Sequence, residues 1–230
     1  MKPTDFTAAL ADGREQLART STAERVAGIL RTRIADGLFR PGTRLSEDAI
    51  GEALGVSRNT LREAFRLLTH ERLLVHEFSR GVFVRELTAA DAAELYRLRR
   101  LLECGVLREL GPGPYDVRAL AAAVAEGERA AAAADWQAVA TANIRFHRAL
   151  VALAGSPRMD ELMGAVLAEL RLAFQVVAAP RELHEPFVGR NAAILAALRA
   201  GEAGRAEALL GAYLTESGEL VARLFAAVGS

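Results

Sequence analysis

The sequence predicts a mostly α-helical chain in two parts. Residues 22–86 read as a winged helix-turn-helix with a two-stranded wing, and residues 87–230 as an all-α helical bundle. Apolar residues recur at spacings of three and four along most of the chain, the mark of amphipathic helices. After the first 21 residues the pattern lapses around residues 73–86, where Leu73-Leu-Val-His-Glu77 and Val82-Phe-Val-Arg-Glu86 are short β-prone runs flanking Phe78-Ser-Arg-Gly81. Short helical segments with a tight turn precede these runs, and long ones follow them.

In chain order, residues 1–21 carry only Phe6, Leu10 and Leu17 as large apolar side chains and read as a flexible or partly helical arm. Ser21-Thr-Ala-Glu24 is a capping box, after which Val26, Ile29, Leu30 and Ile34 keep helical spacing up to Gly37. Pro41-Gly42 makes a turn, and Ser46 with Glu47 and Asp48 opens a short second helix that ends near Leu54. Gly55 and Val56 supply the next turn. Ser57 caps a helix to about Arg72, with Leu61, Ala64, Phe65 and Leu68 on one face. Gly81 gives the hairpin its turn geometry and Arg80 stands at the tip.

That third helix turns Arg58, Asn59, Arg62 and Arg66 away from its apolar face. A helix N-terminus attracts phosphate through free N–H groups, and arginines there reach the O6 and N7 of guanine. Residues 22–85 hold eleven arginines against eight acids, although the whole chain has zero net charge. The excess is small but lies around the arginine-bearing helix, which points to duplex DNA as a partner.

From Thr88 onward the periodicity is purely helical. Thr88-Ala-Ala-Asp91 caps a helix carrying Leu95, Leu98, Leu101, Leu102, Val106 and Leu110, and Gly111-Pro-Gly-Pro114 ends it. Asp116 is expected to open a helix to about Ala134, and Asp135 one through Ala154 that stops at Gly155-Ser-Pro157. Helices from about Arg158 to Ala178, from Glu185 to Ala200, and from Glu202 or Arg205 to Val228 complete a bundle of about six.

Other functions are disfavoured. The single cysteine, Cys104, rules out an internal disulfide and sits in an apolar helical run as a buried thiol. No charged-then-apolar signal opens the chain and no apolar run approaches the roughly 20 residues a bilayer requires, so a cytoplasmic protein without a membrane partner is expected. There is no glycine-rich phosphate loop, no His-Glu-x-x-His, and no nucleophile and base pair around His147, so an enzyme is not expected.

The order of residues in the first part resembles the winged-helix domain of the GntR family of bacterial transcription regulators. The resemblance rests on Leu38-Phe-Arg-Pro-Gly-Thr-Arg-Leu-Ser-Glu47, Leu54-Gly-Val-Ser-Arg58, Leu61-Arg-Glu-Ala64, Leu67-Leu68 and Arg80-Gly-Val-Phe-Val84. It implies DNA contacts at Arg44, Ser57, Arg58, Asn59, Thr60, Arg62, Arg80 and Gly81. The chain departs from that pattern at Thr60, where many members carry proline, and at Asp48, where several carry arginine and where a carboxylate repels phosphate.

The second part resembles the FCD effector-binding domain of the FadR-like branch, through Glu94-Leu-Tyr-Arg-Leu-Arg99 with Glu103, Phe146-His-Arg-Ala-Leu150 with Ala154-Gly155, Ala193-Ile-Leu-Ala-Ala-Leu198, and residues 208–214. Many members hold a divalent metal there with one aspartate and three histidines. The aspartate position falls on Asn143 and the histidines on His147, Asn191 and Tyr213, so only His147 keeps its type. Asn143 and His147 share one helix face at i and i+4. One imidazole, two amides and a phenol bring no negative charge to offset a dication, so no bound metal is expected. His184, seven residues before Asn191, is the alternative ligand that can swing in.

The effector pocket is expected at Arg99, Asn143, His147, Asn191 and Tyr213, with Arg99 pairing either with an effector carboxylate or with Glu103 at i+4. The resemblance implies a homodimeric regulator, most readily a repressor, that reads a pseudo-palindromic operator and is released by a small metabolite. A constitutive DNA-binding protein whose bundle only dimerises is the alternative.

Overall fold

The computed structural model describes residues 21–176 and 180–228. The expected arm lies outside these residues except for Ser21. The chain divides into two compact units between Arg85 and Glu86.

In the first unit, helix α1 (Thr22–Ala35) starts at a capping box, the Glu24 N–H donating to Ser21 Oγ at 3.1 Å and the Ser21 N–H to Glu24 Oε2 at 2.7 Å. Strand β1 (Arg44–Leu45) leads to helix α2 (Glu47–Leu54), whose cap Ser46 accepts from the Ala49 N–H at 3.3 Å. Gly55 closes α2 at φ 63°, a left-handed conformation that costs any residue with a Cβ. Helix α3 (Arg58–His70) follows two residues later. Strands β2 (Leu74–Glu77) and β3 (Gly81–Val84) form an antiparallel hairpin with Glu77 opposite Gly81. Val26, Leu30 and Ile34 of α1 close against Leu61, Ala64, Phe65 and Leu68 of α3, all buried. Arg31 clamps Glu71 through two bonds of 2.7 and 2.6 Å.

The sheet has three strands, in the order β1-β3-β2, where a two-stranded wing was expected. The Gly42 N–H donates to the Val84 carbonyl and the Val84 N–H to the Thr43 carbonyl, both at 2.9 Å, so the segment after the Pro41-Gly42 turn is drawn onto the free edge of β3.

Among the described residues the second unit is a bundle of six helices: α4 (Ala89–Glu109), α5 (Arg118–Ala132), α6 (Trp136–Ala152), α7 (Pro157–Val176), α8 (Pro180–Arg199) and α9 (Ala203–Val228). Helix α4 packs on α6, α7 and α9, while α6 also packs on α5, α7 and α8. Helix α6 therefore has neighbours on most sides, and its His147 is fully buried.

Three boundaries or faces differ from expectation. Helix α5 starts at Arg118 after Val117, not at Asp116; the Asp116 carboxylate takes the Arg118 N–H at 3.2 Å and its guanidinium at 2.9 and 2.6 Å. Helix α8 begins at Pro180 and runs through Pro186, where Glu185 was the expected start. Proline there removes one backbone donor, while buried Leu183, His184 and Phe187 hold those turns on the bundle. On α4 the buried face runs through Leu95, Tyr96, Arg99, Glu103, Val106 and Leu107, leaving Leu101 65% exposed.

Candidate functional site

In the first unit the cap Ser57 aims the first turn of α3 outward. Its hydroxyl accepts from the Thr60 N–H at 3.1 Å and shares a 2.8 Å bond with the Thr60 hydroxyl, so these two expected contact residues are engaged with each other. Arg58, Asn59, Arg62 and Arg66 are exposed on the side of α3 opposite Leu61, Ala64, Phe65 and Leu68. Two of these arginines are held by acids of α2: Arg58 by Asp48 at 2.8 Å and Arg62 by Glu47 at 2.9 Å. Asp48 therefore faces its own protein's arginine. Such exposed pairs are worth about 0 to 1 kcal/mol, so a phosphate or a guanine edge competes for them readily.

The hairpin turn carries Arg80, which pairs with Glu77 and lies 5.4 Å over the Phe83 ring. Gly81, at φ 111°, leaves room for the Arg44 guanidinium: a Cβ there would sit 3.3 Å from Arg44 Nε. Arg44, Arg80 and Gly81 are thus neighbours on β1, the turn and β3. Sequence spacing did not join Arg44 to the wing, because their link is the β1-β3 pairing.

In the bundle, Asn143, His147, Asn191, Tyr213 and Arg99 come together from α4, α6, α8 and α9. Asn143 Oδ1 accepts from Asn191 Nδ2 at 2.7 Å and from the Tyr213 hydroxyl at 3.0 Å. The His147 and Tyr213 rings lie 5.1 Å apart. Beside them is a residue that sequence reasoning left as a helix partner only: Glu103, fully buried, accepts from Arg99 Nε at 2.7 Å and bonds His147 Nδ1 at 2.5 Å. Its signal in the sequence was that Arg99 and Glu103 fall on the same stripe as Leu95, Val106 and Leu107.

Burial alone would raise the Glu103 carboxyl, but Arg99 and then His147 hold it below the usual carboxylate range. Burial pushes the His147 imidazole down against the pull of Glu103, so the ring is neutral and its one proton lies on Nδ1, facing the carboxylate. Arg99 stays charged because Glu103 and the flanking tyrosines outweigh its desolvation. The three groups together are neutral. Arg99 Nη2, His147 Nε2 and Asn191 Oδ1 are buried with no hydrogen-bond partner among the described residues.

This donor set does not suit a divalent transition metal. The Asn143 carbonyl oxygen is already taken by two donors, and the one nearby carboxylate is turned to Arg99 and His147. Among the described residues no group of three His, Cys, Asp or Glu is arranged to hold a metal ion. His184 is buried, its ring edge-on to Phe174 at 5.0 Å, and it lines a void of about 20 Å³ together with Asn143 and Asn191. Burial, then Arg171, pushes its imidazole down to about 4.

Comparisons with known proteins agree with both halves. The model of bacterial regulatory proteins of the gntR family matches residues 22–84, and that of the FCD domain matches residues 94–216. A gluconate operon transcriptional repressor of Bacillus subtilis is 43% identical over 94 residues, 41% of this chain and 38% of that protein. A probable D-xylose utilization operon transcriptional repressor of Paenarthrobacter nicotinovorans is 32% identical over 142 residues, 60% of this chain and 61% of that one. The chain spans about two fifths of the length of the gluconate repressors it matches. The crystal structure of a putative transcriptional regulator GntR from Rhodococcus sp. RHA1 superposes with a TM-score of 0.84 at 47% identity, over 88% of this chain and 98% of that one. E. coli McbR/YncC, at 21% identity and a TM-score of 0.74, shares the fold. With a matched gntR model over its first unit and a matched FCD model over its second, the chain belongs to the GntR family of bacterial transcriptional regulators.

Proposed function

We propose that the protein is a DNA-binding transcriptional repressor that acts in the cytoplasm as a homodimer. Each protomer reads one half of a pseudo-palindromic operator with α3 and its wing. The observation that carries this is the row Arg58, Arg62 and Arg66, exposed along one side of a helix whose other side is fully buried. Similarity to repressors of gluconate and D-xylose operons supports the sign of regulation. The experiment is selection of duplexes from a random pool by the full chain, followed by titration of Arg58→Ala and Arg62→Ala. Each substitution is expected to weaken the selected site by about 1 to 3 kcal/mol. Unchanged affinity in both would remove α3 as the reading helix.

For the bundle we infer a small polar effector held by hydrogen bonds, without metal, at Arg99, Asn143, His147, Asn191 and Tyr213. The three unpartnered buried atoms on Arg99, His147 and Asn191 support a ligand that brings its own donors and acceptors. Effector binding would then favour a bundle conformation in which the two reading helices no longer match the operator spacing. Thermal melting against a metabolite panel is the test, since a ligand of the folded state raises the melting temperature. A shift that survives chelator supports the metal-free pocket; a shift that needs added zinc or manganese overturns it.

A second reading, a constitutive regulator whose bundle only dimerises, is favoured by one observation. The void beside Asn143 and Asn191, at about 20 Å³, has room for about one water. No melting shift with any metabolite, together with effector-independent operator binding, would favour it.

A further inference from the structure

Arg99 Nη2, His147 Nε2 and Asn191 Oδ1, buried atoms without a hydrogen-bond partner among the described residues, differ in what they can receive. Arg99 Nη2 is a donor. His147 turns Nδ1 to the Glu103 carboxylate at 2.5 Å, so the ring proton lies there and Nε2 is a bare acceptor. Asn191 is oriented by its neighbour. Asn143 Oδ1 accepts from Asn191 Nδ2 at 2.7 Å and from the Tyr213 hydroxyl at 3.0 Å, which leaves Asn191 Oδ1 as a second acceptor. Atoms left unmade in a dry interior are costly, so a group that satisfies all three is held firmly.

The charges around these atoms are already balanced. Glu103 accepts from Arg99 Nε at 2.7 Å through one oxygen and faces His147 with the other, and all three side chains are fully buried. The guanidinium therefore has a resident anion, and a ligand carboxylate would enter as an unbalanced charge taken out of water. It would also meet His147 Nε2 and Asn191 Oδ1 with nothing to donate. A hydroxyl suits both kinds of atom, because it donates once and accepts twice. Size points the same way. The void of about 20 Å³ lined by Asn143, Asn191 and His184 has room for one oxygen, whereas a carboxylate brings two on one carbon. Other walls of that void, Ala123, Gly127, Val139 and Ala142, are small and apolar and suit a carbon chain.

We propose that the effector is an uncharged molecule with neighbouring hydroxyl groups, a small diol or polyol, and that the pocket rejects carboxylates. The inference rests on the metal-free effector site inferred above and adds its ligand class. One hydroxyl fills the void and donates to Asn191 Oδ1. A second reaches past the Asn143–Asn191 bond to the next turn of α6, where it donates to His147 Nε2 and accepts from Arg99 Nη2.

The test sets matched neutral and acidic ligands against the full chain: ethylene glycol with glycolate, glycerol with glycerate, and erythritol with erythronate. Each is used up to about 50 mM, below the range in which polyols stabilise proteins by exclusion from the surface, with chelator present. Melting is followed by fluorescence of Trp136, the single tryptophan, which opens α6 and so reports the bundle. At least one polyol is expected to raise the midpoint by about 3 to 6 °C at about ten times its dissociation constant, with its acid at least about tenfold weaker. Asn191→Leu removes an acceptor without changing any charge and should lose the polyol response. Glu103→Gln removes the resident anion and should reverse the preference, the acid now pairing with Arg99. If Glu103→Gln does not fold, the matched pairs on the wild type and on Asn191→Leu decide alone. An acid that outperforms its polyol on the wild type, no shift from any polyol, or an equal polyol response in Asn191→Leu would overturn this inference. A chelator-resistant shift from another class of metabolite would leave the metal-free site standing without it, whereas a shift that requires zinc or manganese would overturn both.

Discussion

Replacing Glu103 by leucine should destabilise the bundle more than any other single polar substitution in it. The carboxylate is fully buried and holds a buried guanidinium at 2.7 Å and an imidazole N–H at 2.5 Å. Without it the Arg99 charge stays enclosed with two of its nitrogens unpaired, since Nη2 already lacks a partner. Removing one member of a buried ion pair costs about 3 to 5 kcal/mol, and stranding the His147 N–H another 1 to 3. The two losses share one network and do not add fully, so we expect about 4 kcal/mol, a fall in melting temperature on the order of 10 °C. Chemical denaturation followed by circular dichroism measures it, with Arg99→Met/Glu103→Leu as the companion. The double variant has no stranded charge and should recover most of the stability, leaving the smaller deficit of the imidazole N–H. A Glu103→Leu protein within about 1 kcal/mol of wild type, or a double variant no better than the single, would mean that water reaches the pair and that the buried charge balance described above is mistaken.

Other consequences follow from the same geometry. The His184 imidazole, pushed down to about 4 from an unfolded value of about 6.5, takes up its proton first in the unfolded chain as the pH falls. Stability should therefore be level above pH 6.5 and decline by about 3 kcal/mol toward pH 4. His147, shifted in the same direction, adds to that decline. Urea melts at pH 7.5, 5.5 and 4.5 should show His184→Gln losing less across the range, and an equal slope in both proteins would deny the burial argument. Ser57→Ala removes the cap of α3 and should cost about 1 kcal/mol of stability in the first unit, read from its denaturation midpoint. Asp48→Ala frees Arg58 and removes one anion from the groove side; binding to unselected duplex at low salt should tighten, and unchanged binding would show that Asp48 lies away from the phosphates.

What the sequence made legible was local. Ser21, Ser46, Ser57, Thr88 and Asp135 each cap a helix by accepting from an N–H three residues on, a bond decided within four residues of chain. The arginine row of α3 was legible for the same reason, since a single helix fixes which side chains share a face. Strand β1 was not, because two residues carry no periodicity and its bonds run to Val84 across some forty residues. The expected start of α8 at Glu185 falls one turn late, because burial of Leu183 and His184 before Pro186 outweighs the bond that proline removes. Leu101 fits an apolar stripe by hydrophobicity alone, but the buried stripe of α4 turns through Arg99 and Glu103, which hydrophobicity does not mark.

The polar centre of the bundle was half legible, and the missing half bears on the metal-free pocket proposed above. Spacing put Asn143 and His147 on one face and resemblance named Asn191 and Tyr213, but nothing in either said how four uncharged groups would hold three helices together. They do so through one carbonyl oxygen. Asn143 Oδ1 on α6 receives α8 through Asn191 and α9 through Tyr213. A cation at such a junction needs anionic ligands to offset its charge. Here the buried carboxylate of Glu103 is committed to Arg99 on its own helix and to His147 on α6, which ties α4 into the same junction. Aspartate at Asn143 would bring a second carboxylate into the same polar centre with no extra cation to balance it. Asn143→Asp alone should therefore destabilise the apo bundle at pH 7 and recover on adding zinc, whereas the wild type should gain nothing from the metal.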